Sequence, residues 1–384
     1  MENFEQQFDS GEENFEQGNF EVLKTPEISV DEEKGAQHLS LMLKAEKPEW
    51  GNSENKLAKE TEKYFLENPL DMEVSGFLEE IGALEEGGVD EEALYTLALS
   101  YEHPERSEKA LKVLAKHKSY IKNPQELQQK LFQALEAFKQ SFDSSELAKK
   151  FSIETERDKE MRERDMEETK RRIEKLISFF RPDSKTTEVR RISLMPTDPL
   201  YEKDSGAAFS FGEELVLKNH IENPDNLDHE FLHSIINPIV EKLSGQLTNE
   251  QKEKVIELAS EKLKKDYGKD YSSLLCEEFI RTYNDIFKKG EGPRTYEDFQ
   301  EKLKDINASQ FQEFLARNEG LRQRCAELDI KTVEDFQAKS EQYFERFEND
   351  KLRDLVFDLY EDYSNRPNVE IENFEQFVLS KFHL

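Results

Sequence analysis

The stretch NLDHEFLHSIINPIVEKL, Asn226 to Leu243, contains the pattern His-Glu-x-x-His at His229, Glu230 and His233. Its apolar residues recur at helical spacing, which predicts an amphipathic helix with one buried face. Because residues four apart lie on one face of a helix, both imidazoles can reach the same metal ion. Zinc accepts two histidines and a carboxylate and keeps a fourth position for water, beside which Glu230 is predicted to act as a general base.

The local context of the motif supports this interpretation. Asp225 is a predicted N-cap, with Asp228 as its partner in the first turn. Pro238 removes a backbone hydrogen bond, so the helix is expected to kink or end about one turn after His233. The alternative is that both histidines are ordinary residues of an amphipathic helix, which would leave buried imidazoles without partners at a cost in stability.

Two histidines do not complete a catalytic zinc site, which keeps three protein ligands. The metzincin pattern would require Gly and His where this chain has Ile236 and Ile239, and the only later histidine is His383. A carboxylate from a later helix is therefore expected. The apolar run from Tyr271 to Lys288 carries Glu277 and Glu278, and its apolar face lies nearer to Glu278.

The stretch HEFLHSIINPIVEKL, preceded by Ser-Phe-Gly at 210–212 and followed by EEFIR at 277–281, resembles gluzincin-type zinc metallopeptidases. More narrowly, it is similar to a little-characterised bacterial family of zincin-like proteins. In that family HEF-x-H-S is followed by Asn-Pro, and a downstream Glu-x-x-x-Arg helix supplies the last ligand. The resemblance covers residues 185–290. It implies that His229, His233 and Glu277 bind Zn²⁺, with Glu230 as general base.

Composition limits the possible partners and the compartment. The chain has 85 Asp and Glu against 54 Lys and Arg, a net charge of −31, which disfavours nucleic acids and anionic membrane surfaces as partners. No signal peptide or membrane-spanning run is evident, and two cysteines indicate no disulfide framework. A cytoplasmic protein acting on a peptide or protein substrate is expected.

The expected fold is mainly α with a small β-sheet: a zincin-like α+β core flanked by helical regions. Residues 1–55 are predicted to be a disordered acidic segment, and 56–150 a helical domain. Residues 151–290 are expected to form the metallopeptidase core, led by a long charged helix over 152–181, and 291–384 a C-terminal helical domain. Within the core, 188–195 and 206–218 predict strands, with Val216 and Leu217 lining the cleft.

Some features leave alternatives open. The sequence Glu2-Asn3-Phe4-Glu5-Gln6 recurs as Glu13–Gln17 and as Glu372–Gln376. The repeat is a short docking motif, a tail that mimics and competes with the C-terminal copy, or a consequence of biased composition. The residue that stabilises the oxyanion is undecided among His220, Arg281 and Tyr283. The main functional hypothesis is a zinc metallopeptidase; the alternative is a catalytically inactive zincin-like protein serving as a protein-binding module or helical scaffold.

Overall fold

The structure is a computed structural model of the chain. It describes residues 21–47, 56–86, 91–116, 123–196, 206–219, 224–285, 287–290, 306–317, 322, 325–326, 328–340, 351–366 and 373–382. Within these ranges the protein is mainly α-helical with one small four-stranded sheet, so the predicted fold class is confirmed. Across the described helices, none combines the length and apolarity needed to span a bilayer.

The first half of the chain contributes one strand and eight helices to the described structure: β1 (Glu27–Val30), α1 (Lys34–Glu46), α2 (Lys56–Glu67), α3 (Met72–Glu86), α4 (Glu91–Ala98), α5 (Ser107–Lys116), α6 (Pro124–Phe142), α7 (Glu146–Arg164) and α8 (Met166–Phe180). A 3₁₀ turn at Pro104–Arg106 precedes α5. Helix α6 starts with proline at its first position, and the Asn123 side chain caps it by accepting a hydrogen bond from the Glu126 backbone N–H.

The second half supplies the other strands and the helices around them: β2 (Arg191–Met195), β3 (Gly206–Phe211), β4 (Glu214–Asn219), α9 (Pro224–Gln246), α10 (Asn249–Leu258), α11 (Glu261–Tyr267), α12 (Tyr271–Asp285), α13 (Ala308–Arg317), α14 (Val333–Ala338), α15 (Lys351–Ser364) and α16 (Phe374–Lys381). A 3₁₀ turn at Phe287–Lys289 follows α12.

The sheet has the order β1-β2-β4-β3. β1 and β2 are parallel, with Glu27 opposite Arg191, and β2 and β4 are parallel. β3 runs antiparallel to β4 and forms the edge of the sheet. The turn between them contains Gly212 at φ +75°, a left-handed conformation that glycine adopts without strain. The chain reverses direction at this tight turn, so β3 and β4 pair with each other, and β3 is the edge strand.

Helices cover both faces of the sheet. Because successive strand residues point to opposite faces, Leu215 and Leu217 pack towards α8, α9 and α12, while Val216 packs towards α1–α7. The predicted helical domain at 56–150 is therefore part of the layer that covers one face of the sheet. This layer, α1–α7, is called the N-terminal layer below. It shares its hydrophobic core with Phe209 and Phe211 of β3.

The predicted disorder of residues 1–55 is wrong for residues 21–47. β1 lies in the sheet, and α1 buries Leu39, Met42 and their neighbours in the core of the N-terminal layer. Burial of this apolar surface offsets the conformational entropy that the segment loses on folding. The polar composition of the segment did not indicate this burial. Residues 1–20 and 48–55 lie outside the described part of the chain.

The predicted charged helix over 152–181 is two helices, because Asp165 leaves the helical conformation at φ −91° and ψ 7° between α7 and α8. The next two helices, α10 and α11, are separated at Ala259 and Ser260. A capping box between Thr248 and Gln251 starts α10. In contrast, α9 continues past Pro238 to Gln246, so the proline does not end the helix.

The predicted C-terminal domain over 291–384 is wrong for its last two helices. In α15 and α16, Tyr360 and Phe374 are fully buried in the same core as α9 and α12. Aromatic side chains bury large apolar areas, so this packing makes α15 and α16 part of the layer that α8, α9 and α12 form on the other face of the sheet. By contrast, Phe311 of α13 and Phe336 of α14 belong to a small core of their own.

A buried ion-pair network ties the N-terminal layer to the sheet. Arg106 is 2% exposed and donates to both carboxylate oxygens of Glu33 at 2.8 and 2.9 Å and to those of Glu214 on β4 at 3.0 Å. Burial raises the pKa of Glu33 to about 7, against the opposing effect of Arg106. The guanidinium thus pairs with two carboxylates at the junction between the helices of the first half of the chain and the sheet.

Replacing Arg106 with Met is expected to reduce the free energy of unfolding by about 3 kcal/mol, because Glu33 would remain buried without its main counter-ion. The matched control is Lys112→Met, which breaks an exposed pair with Glu108 and should change stability by less than about 0.5 kcal/mol. Denaturant unfolding of the three proteins measures this difference. Equal stabilities for the two variants would contradict the structural role of Arg106.

Candidate metal centre

The two motif histidines lie on one face of α9, where their ring centroids are 5.0 Å apart. Asp228, the residue before His229, is buried and anchors the first turn of this helix. It accepts hydrogen bonds from Arg172 Nε at 3.0 Å and Arg172 Nη2 at 2.9 Å, and from Lys288 Nζ at 2.5 Å. Asp225 also accepts from Arg172 and Lys288. The prediction that Asp225 is the N-cap is wrong, because α9 begins at Pro224 and Asp225 lies in its first turn. The ion pairs of the two aspartates instead hold α9 against α8 and the turn after α12.

Glu277 reaches the two histidines from α12. Its Oε2 lies 3.6 Å from His229 Nε2, and its Oε1 lies 3.4 Å from His233 Nε2. Each of the three residues offers a ligand atom within 4.8 Å of the others, the arrangement needed to hold one metal ion. The helix register brings Glu277 to the place that the resemblance implied for it.

The three ligand atoms are close enough together to hold one metal ion. Metal–ligand distances of about 2.05 Å in a tetrahedral site place ligand atoms about 3.3 Å apart, close to the observed separations. Glu277 is only 5% exposed, and its buried Oε2 accepts no hydrogen bond from the described residues. A buried carboxylate oxygen of this kind needs a positive partner; Arg281 is one, at 3.3 Å, and a metal ion would be a second.

Asn237 and Arg281 each lie four residues after a candidate metal ligand on the same helix, and each contacts that ligand. Asn237 Oδ1 lies 3.2 Å from His233 Nδ1 and can accept the Nδ1 proton, which leaves the Nε2 lone pair directed at the site. Arg281, the arginine expected by resemblance, lies on the other side of Glu277, with its Nε 3.3 Å from Oε2. Sequence reasoning assigned no ligand-orienting role to Asn237, although its spacing of four from His233 was a usable signal.

Glu278, the alternative third ligand, points away from this site. It is fully buried, and its Oε1 accepts hydrogen bonds from Arg353 Nε and Thr282 Oγ1, both at 2.8 Å. Arg353 belongs to α15, a helix whose position could not be inferred from the local sequence. The desolvation of Glu278 is therefore compensated by an ion pair within the core.

Glu230, a residue of α9, is 7% exposed, and its carboxylate lies beside the start of β3. A Cβ atom on Gly206 would be 2.5 Å from Glu230 Oε1, so the missing side chain at 206 makes room for this carboxylate. Both residues line the same cleft as His229 and His233.

The cleft has a volume of about 840 Å³ and is bounded by α9, β3 and the segment from Tyr267 to Glu277. Residues Gly206 to Phe209 form its strand wall. The sequence-based prediction that Val216 and Leu217 line the cleft is wrong, because their strand β4 lies inside the sheet. The edge strand β3 occupies that position instead.

None of the three oxyanion candidates lines the cleft within the described residues. Tyr283 is buried against Phe180, with ring centroids 4.9 Å apart, and Arg281 is directed at Glu277. His220 lies outside the described residues. Tyr267, which sequence reasoning missed, lines the cleft and accepts a hydrogen bond from Arg281 Nη2 at 3.1 Å. Its sequence context beside Gly268 gave no signal of this position.

The Tyr267 hydroxyl remains protonated at neutral pH. Burial raises the pKa of Tyr267 to about 12, and the negative charge of Glu277 acts in the same direction. Arg281 donates to the hydroxyl oxygen, and a hydrogen bond between the hydroxyl group and the Glu277 carboxylate raises the pKa of Tyr267 further. Burial likewise raises the pKa of the Cys276 thiol to about 12, so this cleft residue stays a neutral thiol.

Comparisons with known proteins give no neighbour: no protein-family profile, no curated protein and no solved structure matches this chain. The functional conclusion therefore depends on the chemistry of the site and on the resemblance carried by residues 185–290.

Proposed function

We propose that this protein is a zinc-dependent metallopeptidase in which His229, His233 and Glu277 hold the metal and Glu230 is the general base. The observation that carries the proposal is the convergence of Glu277 with both motif histidines at 3.4 and 3.6 Å, although 44 residues along the chain separate it from His233. Two histidines and a carboxylate are the ligand set of several zinc peptidases.

Zinc, when bound, would lower the pKa of a water molecule and polarise the scissile carbonyl group. Glu230 accepts a proton from the attacking water and returns it to the leaving amine. Asn237 holds the His233 ring in orientation, and Arg281 holds Glu277. Tyr267 donates a hydrogen bond to the oxygen that becomes negative as the carbonyl is attacked.

The outer edge of β3 would align the substrate. Its backbone groups can pair with an extended peptide, as in other cases of β-strand addition, while side chains of the cleft select the residues beside the scissile bond. A peptide held in this way would lie along Gly206 to Phe209 and pass Glu230. This supports a peptide or protein substrate over a compact small molecule.

The first experiment is elemental analysis of the purified protein, followed by incubation with a diverse peptide mixture and mass spectrometry of the products. The proposal predicts about one zinc per chain and cleavage that stops when a chelator removes the metal and resumes with added zinc. Bound zinc without any cleavage would favour a protein-binding module instead. Absence of bound metal, with zinc supplied during purification, would contradict the proposal.

Gly206→Ala is expected to lower kcat on the order of 10²-fold, because the new Cβ displaces the Glu230 carboxylate from the attacking water. Metal content should not change, since no ligand moves. The matched control is Gly245→Ala on α9, where an added Cβ meets nothing within 4 Å. Peptide hydrolysis and zinc content are measured together, and equal activity of the two variants would rule out this arrangement of Gly206 and Glu230.

Tyr267→Phe removes the hydroxyl group while keeping the ring. We expect kcat to fall by about 10²-fold with little change in KM, since the hydrogen bond is made mainly in the transition state. Tyr271→Phe, another tyrosine of the cleft, is the comparison. Steady-state kinetics on one peptide substrate distinguish the two, and a Tyr267→Phe enzyme with unchanged kcat would exclude this residue as the oxyanion donor.

A further inference from the structure

The C-terminal copy of the Glu-Asn-Phe-Glu-Gln motif is built into the core through its individual side chains. Asn373 caps α16 by accepting a hydrogen bond from the Gln376 backbone N–H at 2.8 Å. Phe374 is fully buried, and its ring lies 5.2 Å from that of Tyr360 and 5.0 Å from that of Phe180. Glu375 pairs with Lys242 of α9 at 2.5 Å.

Two of these contacts define a seat that recognises the motif: an aromatic cavity for its Phe and a lysine for its second Glu. The Asn cap lies within the motif itself and starts its helix. Phe279 and Tyr363 complete the aromatic cavity around Phe374, with ring centroids 6.1 and 5.1 Å away. Each residue that makes a described contact, Asn, Phe and Glu in that order, is present in the two other copies, Glu2–Gln6 and Glu13–Gln17. Both copies lie outside the described residues.

The described chain begins next to this seat. Ser184 donates a backbone hydrogen bond to Glu21 at 2.7 Å, and Val22 forms a bridge with Asp183. Two residues after Ser184, Thr186 Oγ1 accepts a hydrogen bond from the same Lys242 that pairs with Glu375.

Gln17 is four residues before Glu21. A segment of four residues spans up to about 13 Å, which brings the copy at 13–17 within reach of Lys242 once the C-terminal copy has left the seat.

We propose that the seat is a recognition site for the Glu-Asn-Phe-Glu-Gln motif, and that Glu13–Gln17 of the same chain exchanges with the C-terminal copy in it. In the exchanged state Phe15 fills the aromatic cavity and Glu16 pairs with Lys242. The C-terminal copy is the major occupant, because Phe377 and Val378 are fully buried beside it, whereas Gly18 and Asn19 follow Gln17. Exchange releases α16 from α9, the helix that carries the motif histidines.

The ion pair with Lys242 allows a direct test on the full-length wild-type protein. A carbodiimide reagent couples an amine to a carboxylate only when the two are in contact, and peptide mass spectrometry distinguishes a Lys242–Glu375 link from a Lys242–Glu16 link. The proposal predicts both links, with the first more abundant. Phe374→Ala and the milder Asn373→Ala should each raise the Lys242–Glu16 link several-fold relative to the other link.

The matched controls change the N-terminal copy, which lies outside the described residues. Phe15→Ala, and a variant in which residues 13–17 are reordered at constant composition, should each lose the Lys242–Glu16 link and keep the Lys242–Glu375 link. A Lys242–Glu16 link that is absent in the wild type, or that survives reordering, would overturn the proposal. In a mixture of ¹⁵N-labelled and unlabelled protein, links between the two isotopic forms would overturn exchange within one chain.

Discussion

Replacing Glu230 with Gln is expected to reduce kcat for peptide hydrolysis by roughly 10³-fold while the protein keeps its metal. The amide has nearly the same shape as the carboxylate, so it fits the space beside Gly206, but it cannot accept the proton of the attacking water. Glu230 is not among the three residues that converge on the metal position, so zinc content should stay near one per chain. Steady-state kinetics and elemental analysis on the same sample measure both quantities.

The matched control for this substitution is Glu253→Gln, an exposed change of the same type on α10. It should leave kcat unchanged. If Glu230→Gln were as active as the wild type with zinc bound, Glu230 would not be the general base. If neither protein hydrolysed any peptide while both bound zinc, the site would be one for binding, as in the alternative hypothesis.

Replacing His233 with Ala is expected to remove metal binding and, with it, all measurable hydrolysis. Only two protein ligands would remain, and the Asn237 contact that orients the ring would be lost as well. His233 is partly exposed, so the substitution leaves no large cavity in the core. Zinc content is therefore expected to fall from about one per chain to near zero, without loss of helical structure.

A second readout for His233→Ala does not depend on activity. A metal held by α9 and α12 binds the folded state only, so saturating zinc should raise the Tm of the wild type and leave that of His233→Ala unchanged. The control is His103→Ala, a histidine of the N-terminal layer that contacts Glu33 and Glu105. Its zinc content should match the wild type, and an equal loss of zinc would argue against a specific site on α9.

The local sequence could not decide whether Glu277 or Glu278 is the third ligand. Helical spacing indicated that Glu277 and Glu278 lie on adjacent faces of one helix, and the apolar pattern around them favoured Glu278. The structure directs Glu277 to the two histidines and pairs Glu278 with Arg353. Since Arg353 is 75 residues further along the chain, no local pattern could show that a buried Glu278 already had a partner.

Domain boundaries were the least accurate part of the sequence analysis. Polar composition predicted disorder through residue 55, yet Leu39 and Met42 are fully buried within that range. The same reasoning separated residues 351–382 from the core, where Tyr360 and Phe374 pack in parallel beside Phe180. Composition averages over a segment, whereas burial depends on which apolar face meets another face in the folded chain.

The sequence by itself determined the mainly α fold class, the amphipathic helix of α9 and the placement of His229, Glu230 and His233 on neighbouring positions of it. These properties depend on residues within a few turns of one another, so helical periodicity is sufficient to predict them. Only the tertiary structure decided that β3 forms the wall of the cleft, that Tyr267 faces it, and that Glu277 meets the histidines. These relations join distant parts of the chain, and packing of both faces of the sheet determines them.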